Sequence, residues 1–189
     1  MKQVFDDETA KILELAEGCL KAKGDFVELG CYEGDTSLLL SELLKKSGSE
    51  KKLWIYDSFE GLPEKGVEDF SVAGEAFKRG ELAVSKREVK ARFLRANLPV
   101  PIIKKGWFEE LKDDDLPKEI CFGFLDGDLY SSIKVSLGLV APRLVEKGIM
   151  IVHDYNNPEL PGVTKAVDEF LEKNGWKMEK YRSLAILQR

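Results

Sequence analysis

The sequence predicts an α/β fold: a doubly wound, mostly parallel seven-stranded sheet that closes with a C-terminal antiparallel hairpin. Five short apolar runs alternate with helical patterns, as in repeated strand–helix–strand units. The last two runs, Trp176–Tyr181 and Ser183–Gln188, are separated by too few residues for a parallel crossover, so they should pair antiparallel. The length of 189 residues fits a single domain, which we expect to span residues 1–189.

The individual elements are predicted from the period of apolar residues and from the residues that end each pattern. Helices are expected at Asp7–Lys23, Thr36–Lys46, Ser85–Ala96 and Leu129–Val145. A last helix is marked by apolar residues from Val163 to Leu171 and ended by Asn174-Gly175. Parallel strands are expected at Phe26–Gly30, Leu53–Asp57, Val100–Lys104, Ile120–Leu125 and Gly148–His153. Ser85 and Glu88 have the spacing of a capping box. The stretch 58–85 has no sustained period. We interpret it as a lid over the substrate, with a solvated irregular insertion as the alternative.

The composition argues against several classes of partner. A formal net charge of −5 disfavours nucleic-acid binding, which normally uses a basic surface. No apolar run approaches the roughly 20 residues of a membrane span, and the first ten residues lack an apolar signal core, so no membrane partner is expected. Cys19, Cys31 and Cys121 are distant from one another and odd in number. We therefore expect a reducing cytoplasm, and we expect carboxylates to supply most ligands of any metal.

The first two predicted strands end in residues suited to an adenosyl ligand. Gly30 and Gly34 let the backbone approach a ligand closely, and the next helix offers free N–H groups. The dinucleotide pattern G-x-G-x-x-G is absent, and Glu33 and Asp35 disfavour a pyrophosphate by charge repulsion. Asp57 can accept both hydrogen bonds of a ribose diol. An ordinary strand–helix turn at the glycines and a turn-capping role for Asp57 are the alternatives.

An aromatic pair follows the third predicted strand. Trp107 and Phe108 come directly after Lys105-Gly106, where a cofactor base could stack on a ring. Packing in the core is the alternative, and it is the commoner fate of such side chains.

Acidic residues and the one histidine of the chain follow the fourth and fifth predicted strands. Asp126 and Asp128 follow the fourth strand, and His153 and Asp154 follow the fifth. Because clustered acids repel one another, a bound cation is expected, and oxygen ligands suit Mg²⁺. A structural hydrogen bond is the alternative role for His153.

Six ordered motifs carry a resemblance to a known family. They are Val27–Gly30, Tyr56–Pro63, Lys105–Phe108, Leu125–Tyr130, His153–Tyr155 and Gly162–Phe170. Together they resemble the class I S-adenosylmethionine-dependent methyltransferases and, more narrowly, the macrocin O-methyltransferase (TylF-type) family. The resemblance runs from about Phe26 to Phe170. It implies a Rossmann-like sheet, S-adenosylmethionine as the cofactor and Mg²⁺-assisted methylation of natural-product sugar hydroxyls.

The resemblance also implies a role for each strand end, with the methionine, ribose and adenine of the cofactor on successive strands. Residues expected to contact the cofactor are Glu28, Gly30, Gly34, Asp57, Ser58, Trp107, Phe108 and Asp126. Asp126 and Asp154 would bind the metal, with Asp128 at the edge of the site. His153 stands where family members usually carry a second carboxylate. As a third ligand, its imidazole would favour a softer ion than Mg²⁺.

The sequence thus predicts an O-methyltransferase for a small sugar or polyphenol-like acceptor, assisted by a divalent metal. Asp128 or His153 would receive the hydroxyl proton as the catalytic residue. One alternative is a metal-dependent glycosyltransferase, in which Asp126-Gly127-Asp128 holds a nucleotide diphosphate through an ion. Another alternative is a non-catalytic cofactor-binding protein. The first helix and the terminal hairpin offer surfaces for a homodimer.

Overall fold

A computed structural model describes residues 4–71, 74 and 76–189 of the chain. Met1–Gln3, and Val72, Ala73 and Glu75 of the predicted lid, lie outside the described residues. The helices are α1 (Asp6–Gly18), α2 (Asp35–Lys46), α3 (Lys86–Arg95), α4 (Tyr130–Val140) and α5 (Pro161–Asn174). The strands are β1 (Asp25–Leu29), β2 (Leu53–Asp57), β3 (Ile102–Lys105), β4 (Ile120–Leu125), β5 (Leu144–Val152), β6 (Lys177–Tyr181) and β7 (Leu184–Gln188).

The seven strands form one sheet in the order β3-β2-β1-β4-β5-β7-β6. Strands β1 to β5 pair in parallel, whereas β7 is antiparallel to both β5 and β6. The predicted sheet and its closing hairpin are therefore confirmed. The strand order reverses between β1 and β4, so the chain leaves a crevice at their carboxyl ends.

Helices cover both faces of the sheet, as a doubly wound fold requires. On one face, Ile12 of α1, Leu40 of α2 and Phe93 of α3 share a buried cluster with β-strand side chains. On the other face, Ile133 of α4 and Val163 of α5 pack in a second cluster. All six positions of β4 are buried because this strand lies at the centre of both clusters. Among the described residues, no helix is both long and apolar enough to cross a bilayer.

Two helices are shorter than predicted. α1 ends at Gly18 rather than at Lys23, since glycine is a poor helix former and the chain turns directly after it. α4 ends at Val140 rather than at Val145. Pro142 lies in the 3₁₀ turn that follows, and its missing N–H cannot continue the α-helical hydrogen bonds.

Asp69 anchors the predicted lid to the rest of the fold. It ends a short 3₁₀ turn, Val67–Asp69, and its side chain is almost fully buried. Its Oδ1 accepts a hydrogen bond from Tyr130 N, the first residue of α4, at 2.7 Å. Its Oδ2 accepts one from Gly66 N at 2.9 Å. The stretch between β2 and α3 is therefore tied to the helix that directly follows Asp126 and Asp128.

Candidate active site

A cleft lies at the carboxyl ends of β1 to β4, with about 600 Å³ of space that includes open solvent. Predicted cofactor residues on its walls are Gly30, Asp57, Ser58, Trp107, Phe108 and Asp126, and Asp128 lines it too. A second cleft, of about 490 Å³, shares Gly30 and Asp126 with the first. It extends past Glu28 to the start of α2. The two clefts therefore adjoin at the switch in strand order.

Gly30 makes the floor of both clefts from bare backbone. Its φ is +89°, and a Cβ placed there would lie 2.0 Å from the carbonyl oxygen of Asp126. Asp126 N also donates a hydrogen bond to Leu29 O at 2.8 Å. The loops after β1 and β4 are thus in direct contact, and no other residue type fits at position 30 without movement of one loop.

Asp57 holds the loops after β1 and β2 in place. Its Oδ2 accepts hydrogen bonds from Cys31 N at 2.9 Å and Tyr32 N at 3.3 Å, and its Oδ1 accepts one from Phe59 N at 2.7 Å. The turn-capping role is therefore confirmed. Carboxylate oxygens have further lone pairs, so the side chain can also accept hydrogen bonds from a diol in the cleft.

Glu28 is fully buried beneath the second cleft. The hydroxyl of Ser37 donates a hydrogen bond to Glu28 Oε2. Burial raises the pKa of Glu28 to about 8, and the charges of Asp126 and Asp57 add to the rise. The hydrogen bond from Ser37 acts in the opposite direction. Glu28 therefore exchanges its proton near neutral pH, unlike an exposed glutamate.

Of the two aromatic residues after β3, one packs in the core and the other is more open to the cleft. Phe108 is buried in the core, where a Cβ on Gly127 would lie 3.3 Å from its ring. Trp107 is half-buried, and both rings line the first cleft. Core packing is thus confirmed for Phe108, while Trp107 has the more open position against a ligand.

Ser58 and Gly34 shape loops beside the clefts. The hydroxyl of Ser58 donates to Gly61 O at 2.9 Å and accepts from Glu60 N at 3.0 Å, which rounds the turn after β2. Gly34 is the residue before α2, and a Cβ on it would lie 3.3 Å from Val89 of α3.

Arg92 is a residue of the cleft rim that sequence reasoning missed. Its guanidinium, on α3, contacts Asp35 Oδ1 at 2.5 Å and Glu33 Oε2 at 3.8 Å, and it donates to the Glu33 carbonyl oxygen. The two acids were expected to repel a pyrophosphate, but this cation offsets part of their charge. The helical pattern around Arg92 predicts on which face of α3 the residue lies. It does not indicate the contacts with Glu33 and Asp35, which are distant in the sequence.

Asp126, His153 and Asp154 come together at the ends of β4 and β5. His153 Nδ1 lies 3.0 Å from Asp126 Oδ1 and 3.1 Å from Asp154 Oδ2. One ligand atom from each of the three lies within 4.8 Å of the others. Asn157 Nδ2 donates a hydrogen bond to Asp154 Oδ1 at 2.8 Å, which fixes the second carboxylate. The predicted ligands thus share one compact cluster.

Glu8 completes this cluster from α1, and no sequence pattern pointed to it. Its Oε2 lies 3.7 Å from His153 Nε2, and both side chains are buried. Burial opposes a charge on His153, but Asp126 and the hydrogen bonds with Asp126, Asp154 and Glu8 raise its pKa well above the usual range. Burial likewise opposes a charge on Glu8, yet hydrogen bonds from His153 and Ser183 lower its pKa to about 2. His153 and Glu8 therefore stabilise each other's charges.

Asp128 faces the cleft beside this cluster and is not part of it. Among the described residues, none donates a hydrogen bond to its carboxylate. Burial raises the pKa of Asp128 well above its usual range, and the charges of Asp126 and Asp154 add to the rise. A carboxylate with a raised pKa is a stronger base, which suits proton transfer near neutral pH.

Four non-glycine residues that follow strands near the clefts adopt left-handed backbone conformations. Tyr32 has a φ of 45°, Phe59 of 53°, and Asp128 and Asp154 of 59° each. Each lies within three residues of the end of β1, β2, β4 or β5. Such conformations are rare for residues with a side chain. They turn the chain sharply where it leaves the sheet.

Comparison with known proteins identifies the family. The family model described as Macrocin-O-methyltransferase (TylF) matches residues 13–181. The chain belongs to the macrocin O-methyltransferase family. The resemblance inferred from the motifs at the strand ends is therefore confirmed.

Individual relatives support the same family. The chain is 34% identical over 147 residues to 8-demethyl-8-(2,3-dimethoxy-alpha-L-rhamnosyl)-tetracenomycin-C 4'-O-methyltransferase of Streptomyces olivaceus, covering 75% of this chain and 55% of that protein. It is 30% identical over 158 residues to demethyldecarbamoylnovobiocin O-methyltransferase of Streptomyces niveus, covering 79% and 59%. The solved structure of the O-methyltransferase NovP has a TM-score of 0.79 at 27% identity, covering 95% of this chain and 79% of that one. The macrocin O-methyltransferase family member described here thus spans less than two thirds of these curated relatives.

Proposed function

We propose that this chain transfers a methyl group from S-adenosylmethionine to a hydroxyl of a small sugar or polyphenol-like acceptor. The observation that carries the proposal is the pair of adjoining clefts that share Gly30 and Asp126, the first of which Asp128 also lines. Family membership supports the chemistry, and the names of both curated relatives specify O-methyl transfer. The rhamnosyl group in the first name favours a sugar acceptor.

The cofactor would lie across the two clefts. The methionine end fits the second cleft, where Glu28 lies below and the first turn of α2 offers N–H groups. The ribose fits beside Asp57, and the adenine fits against Trp107. This placement brings the sulfonium methyl group towards Asp126 and Asp128, where an acceptor would enter. The chain's main contribution to rate would be to hold oxygen and methyl carbon in line.

We assign the role of general base to Asp128 rather than to His153. The ring of His153 is 4% exposed, with Nδ1 against Asp126 and Asp154 and Nε2 against Glu8. Neither nitrogen faces the cleft, so neither can reach a substrate hydroxyl. Asp128 lines the cleft and has a raised pKa, so its carboxylate can accept a proton.

The residues at the ends of β4 and β5 fit a divalent ion, Mg²⁺ or a softer one. Two carboxylates and one ring nitrogen offer ligand atoms close together, and their surroundings are negative. We propose Asp126, His153 and Asp154 as its ligands. A bound divalent ion would lower the pKa of an acceptor hydroxyl. Through such an ion, Asp126 and Asp154 would help to hold the acceptor near Asp128.

The lid, 58–85, would close over the first cleft, within a single domain spanning residues 1–189. Gly61, Leu62, Pro63 and Leu82 line the first cleft, and Asp69 ties the segment to α4. Limited proteolysis with and without S-adenosylhomocysteine tests this role, since cofactor binding should protect the segment.

A homodimer and a cytoplasmic location stay predictions. Light scattering on the purified chain would measure the first, and fractionation of cells the second.

Mass spectrometry of S-adenosylhomocysteine formation tests the proposed activity directly. The chain would be incubated with S-adenosylmethionine and a panel of sugar diols and catechols, with and without a chelator. We expect turnover with at least one acceptor. Asp128→Asn should lower kcat about 10²–10⁴-fold and leave the calorimetric affinity for S-adenosylmethionine unchanged. Asp57→Ala should weaken that affinity instead.

Three outcomes would contradict parts of the proposal. Tight binding of a nucleotide sugar without binding of S-adenosylmethionine would favour a glycosyltransferase that uses Asp126-Gly127-Asp128. Cofactor binding without methyl transfer to any acceptor would favour a non-catalytic binding protein. Full activity in the presence of a chelator would remove the metal from the reaction.

A further inference from the structure

Glu8 is a buried carboxylate held in one position by the terminal hairpin. Its Oε1 accepts hydrogen bonds from Ser183 N at 2.9 Å and from Ser183 Oγ at 2.6 Å. Ser183 lies in the turn between β6 and β7, and its carbonyl oxygen accepts a hydrogen bond from Tyr155 N beside Asp154. The remaining carboxylate oxygen of Glu8, Oε2, accepts a hydrogen bond from Phe5 N at 3.4 Å and lies 3.7 Å from His153 Nε2. Three segments of the chain therefore fix the carboxylate.

The position of Glu8 distinguishes the two nitrogens of His153. Oε2 of Glu8 lies 3.7 Å from Nε2, whereas the carboxylates of Asp126 and Asp154 lie near Nδ1. Asp126 and Asp154 lie closer to Nδ1 than Glu8 lies to Nε2, so without an ion both ring nitrogens have a carboxylate partner. An ion held by Asp126 and Asp154 would take the place of the proton on Nδ1, whereas the proton on Nε2 would stay beside Glu8. Histidines that bind metals commonly have such a carboxylate partner, which leaves the other nitrogen as the ligand. Here the nitrogen left for an ion is Nδ1.

We propose that Glu8 is a positioning residue that makes His153 a metal ligand through Nδ1. The site would consequently prefer a transition-metal ion such as Mn²⁺, Co²⁺, Ni²⁺ or Zn²⁺ to Mg²⁺. This inference rests on the proposed function and deepens its metal site. Imidazole nitrogen suits first-row transition metals, whereas Mg²⁺ is bound almost wholly by oxygen atoms and water.

The single histidine of the sequence makes this proposal directly measurable. In tag-free protein labelled with ¹⁵N-histidine, long-range ¹H–¹⁵N NMR reports only His153, and no assignment is needed. Zn²⁺ is a suitable probe because it is diamagnetic. We expect one equivalent of Zn²⁺ to shift Nδ1 and to leave the proton on Nε2. The same concentration of Mg²⁺ should shift neither nitrogen. Coordination through Nε2, or equal responses to both ions, would overturn the proposal.

Two variants separate the positioning role of Glu8 from a merely structural one. Glu8→Gln keeps the shape of the side chain but removes its charge, and it should weaken Zn²⁺ binding about 10–100-fold by calorimetry. Ser183→Ala removes one hydrogen bond to Glu8 and keeps the carboxylate, so Zn²⁺ affinity should change less than about threefold. Equal losses in both variants would show that Glu8 only joins α1 to the hairpin. Where Glu8→Gln does not fold, the NMR result on the unmodified chain decides.

Binding of S-adenosylmethionine, measured on the same samples, distinguishes this inference from the proposed function. Cofactor binding and methyl transfer without contact between Zn²⁺ and His153 would overturn the inference about Glu8 and leave the proposed function standing. Absence of cofactor binding by the unmodified chain would refute the proposed function itself.

Discussion

The two sides of the cleft are fixed by different physical means. On the cofactor side, Asp57 accepts three backbone hydrogen bonds and the backbone of Gly30 touches the Asp126 carbonyl group, so main-chain geometry sets the walls. On the acid side, Asp126, Asp154 and Glu8 surround His153, so mutual charge stabilisation sets the side chains. Substitutions that add atoms should therefore disturb the cofactor side most, and substitutions that change charge should disturb the acid side most.

Gly30→Ala should have the largest effect on stability. The new Cβ would lie 2.0 Å from a backbone oxygen at a φ of +89°, so both strain and overlap oppose it. We expect the free energy of unfolding, measured in urea, to fall by about 3 kcal/mol or more. Gly48→Ala is the matched control, because its φ is +66° and nothing lies within 4 Å of the added atom. Gly48→Ala should lower the free energy of unfolding by about 1 kcal/mol. Equal losses would show that the contact between the two loops is unimportant.

Glu28→Gln should change how stability depends on pH. The pKa of Glu28 is about 8 in the folded chain and 4.5 as a model value, so the folded state binds more protons between these values. Stability from this group is therefore present below pH 4.5 and is lost as pH rises towards 8, by at most about 1.4 kcal/mol per unit. The variant lacks this loss, so its stability relative to the wild type should increase across that interval. Urea titrations at several pH values measure it, and parallel curves would contradict the prediction.

Asp69→Ala should loosen the acid side and leave the cofactor side intact. The change leaves the buried Tyr130 N–H at the start of α4 without an acceptor, so we expect a loss of about 1–2 kcal/mol. Affinity for S-adenosylmethionine should stay within about twofold, whereas KM for the acceptor should rise. Glu68→Ala is the control, since Glu68 makes a solvent-accessible ion pair with Lys165. An equal loss of cofactor affinity would show that the two sides are not independent.

The sequence was sufficient for the parts of the fold that depend on local patterns. Alternation of apolar runs and helical periods predicted the sheet and its hairpin, because burial of strands and of one helix face imposes those periods. The capping box at Ser85 is confirmed as well, with Glu88 N donating to Ser85 Oγ at 3.2 Å. The end of α1 at Gly18 was missed, since the apolar pattern continues into Cys19 and Leu20 after the backbone has turned.

Residues of the site were predictable only where they directly follow a strand. Asp57, Asp126 and Asp154 were found because parallel strands bring their carboxyl ends to one edge. Glu8 and Arg92 reach the same edge from helices, through contacts between distant parts of the chain. A charged residue in the first turn of a helix usually faces solvent and stabilises the helix dipole, so nothing local marked Glu8 as buried.

The left-handed residues at the strand ends set a limit on engineering of this chain. Tyr32, Phe59, Asp128 and Asp154 each hold a backbone conformation that costs about 1–3 kcal/mol. Glycine would remove this penalty, but at Phe59 it would also remove a buried aromatic side chain, which costs about 3–5 kcal/mol and outweighs the gain. At Asp128 and Asp154 the same substitution would delete a carboxylate from the site. Thermostability and the proposed methyl transfer should consequently trade off at those two positions, whereas at Tyr32 the backbone can be relaxed without loss of a charged group or of a fully buried side chain.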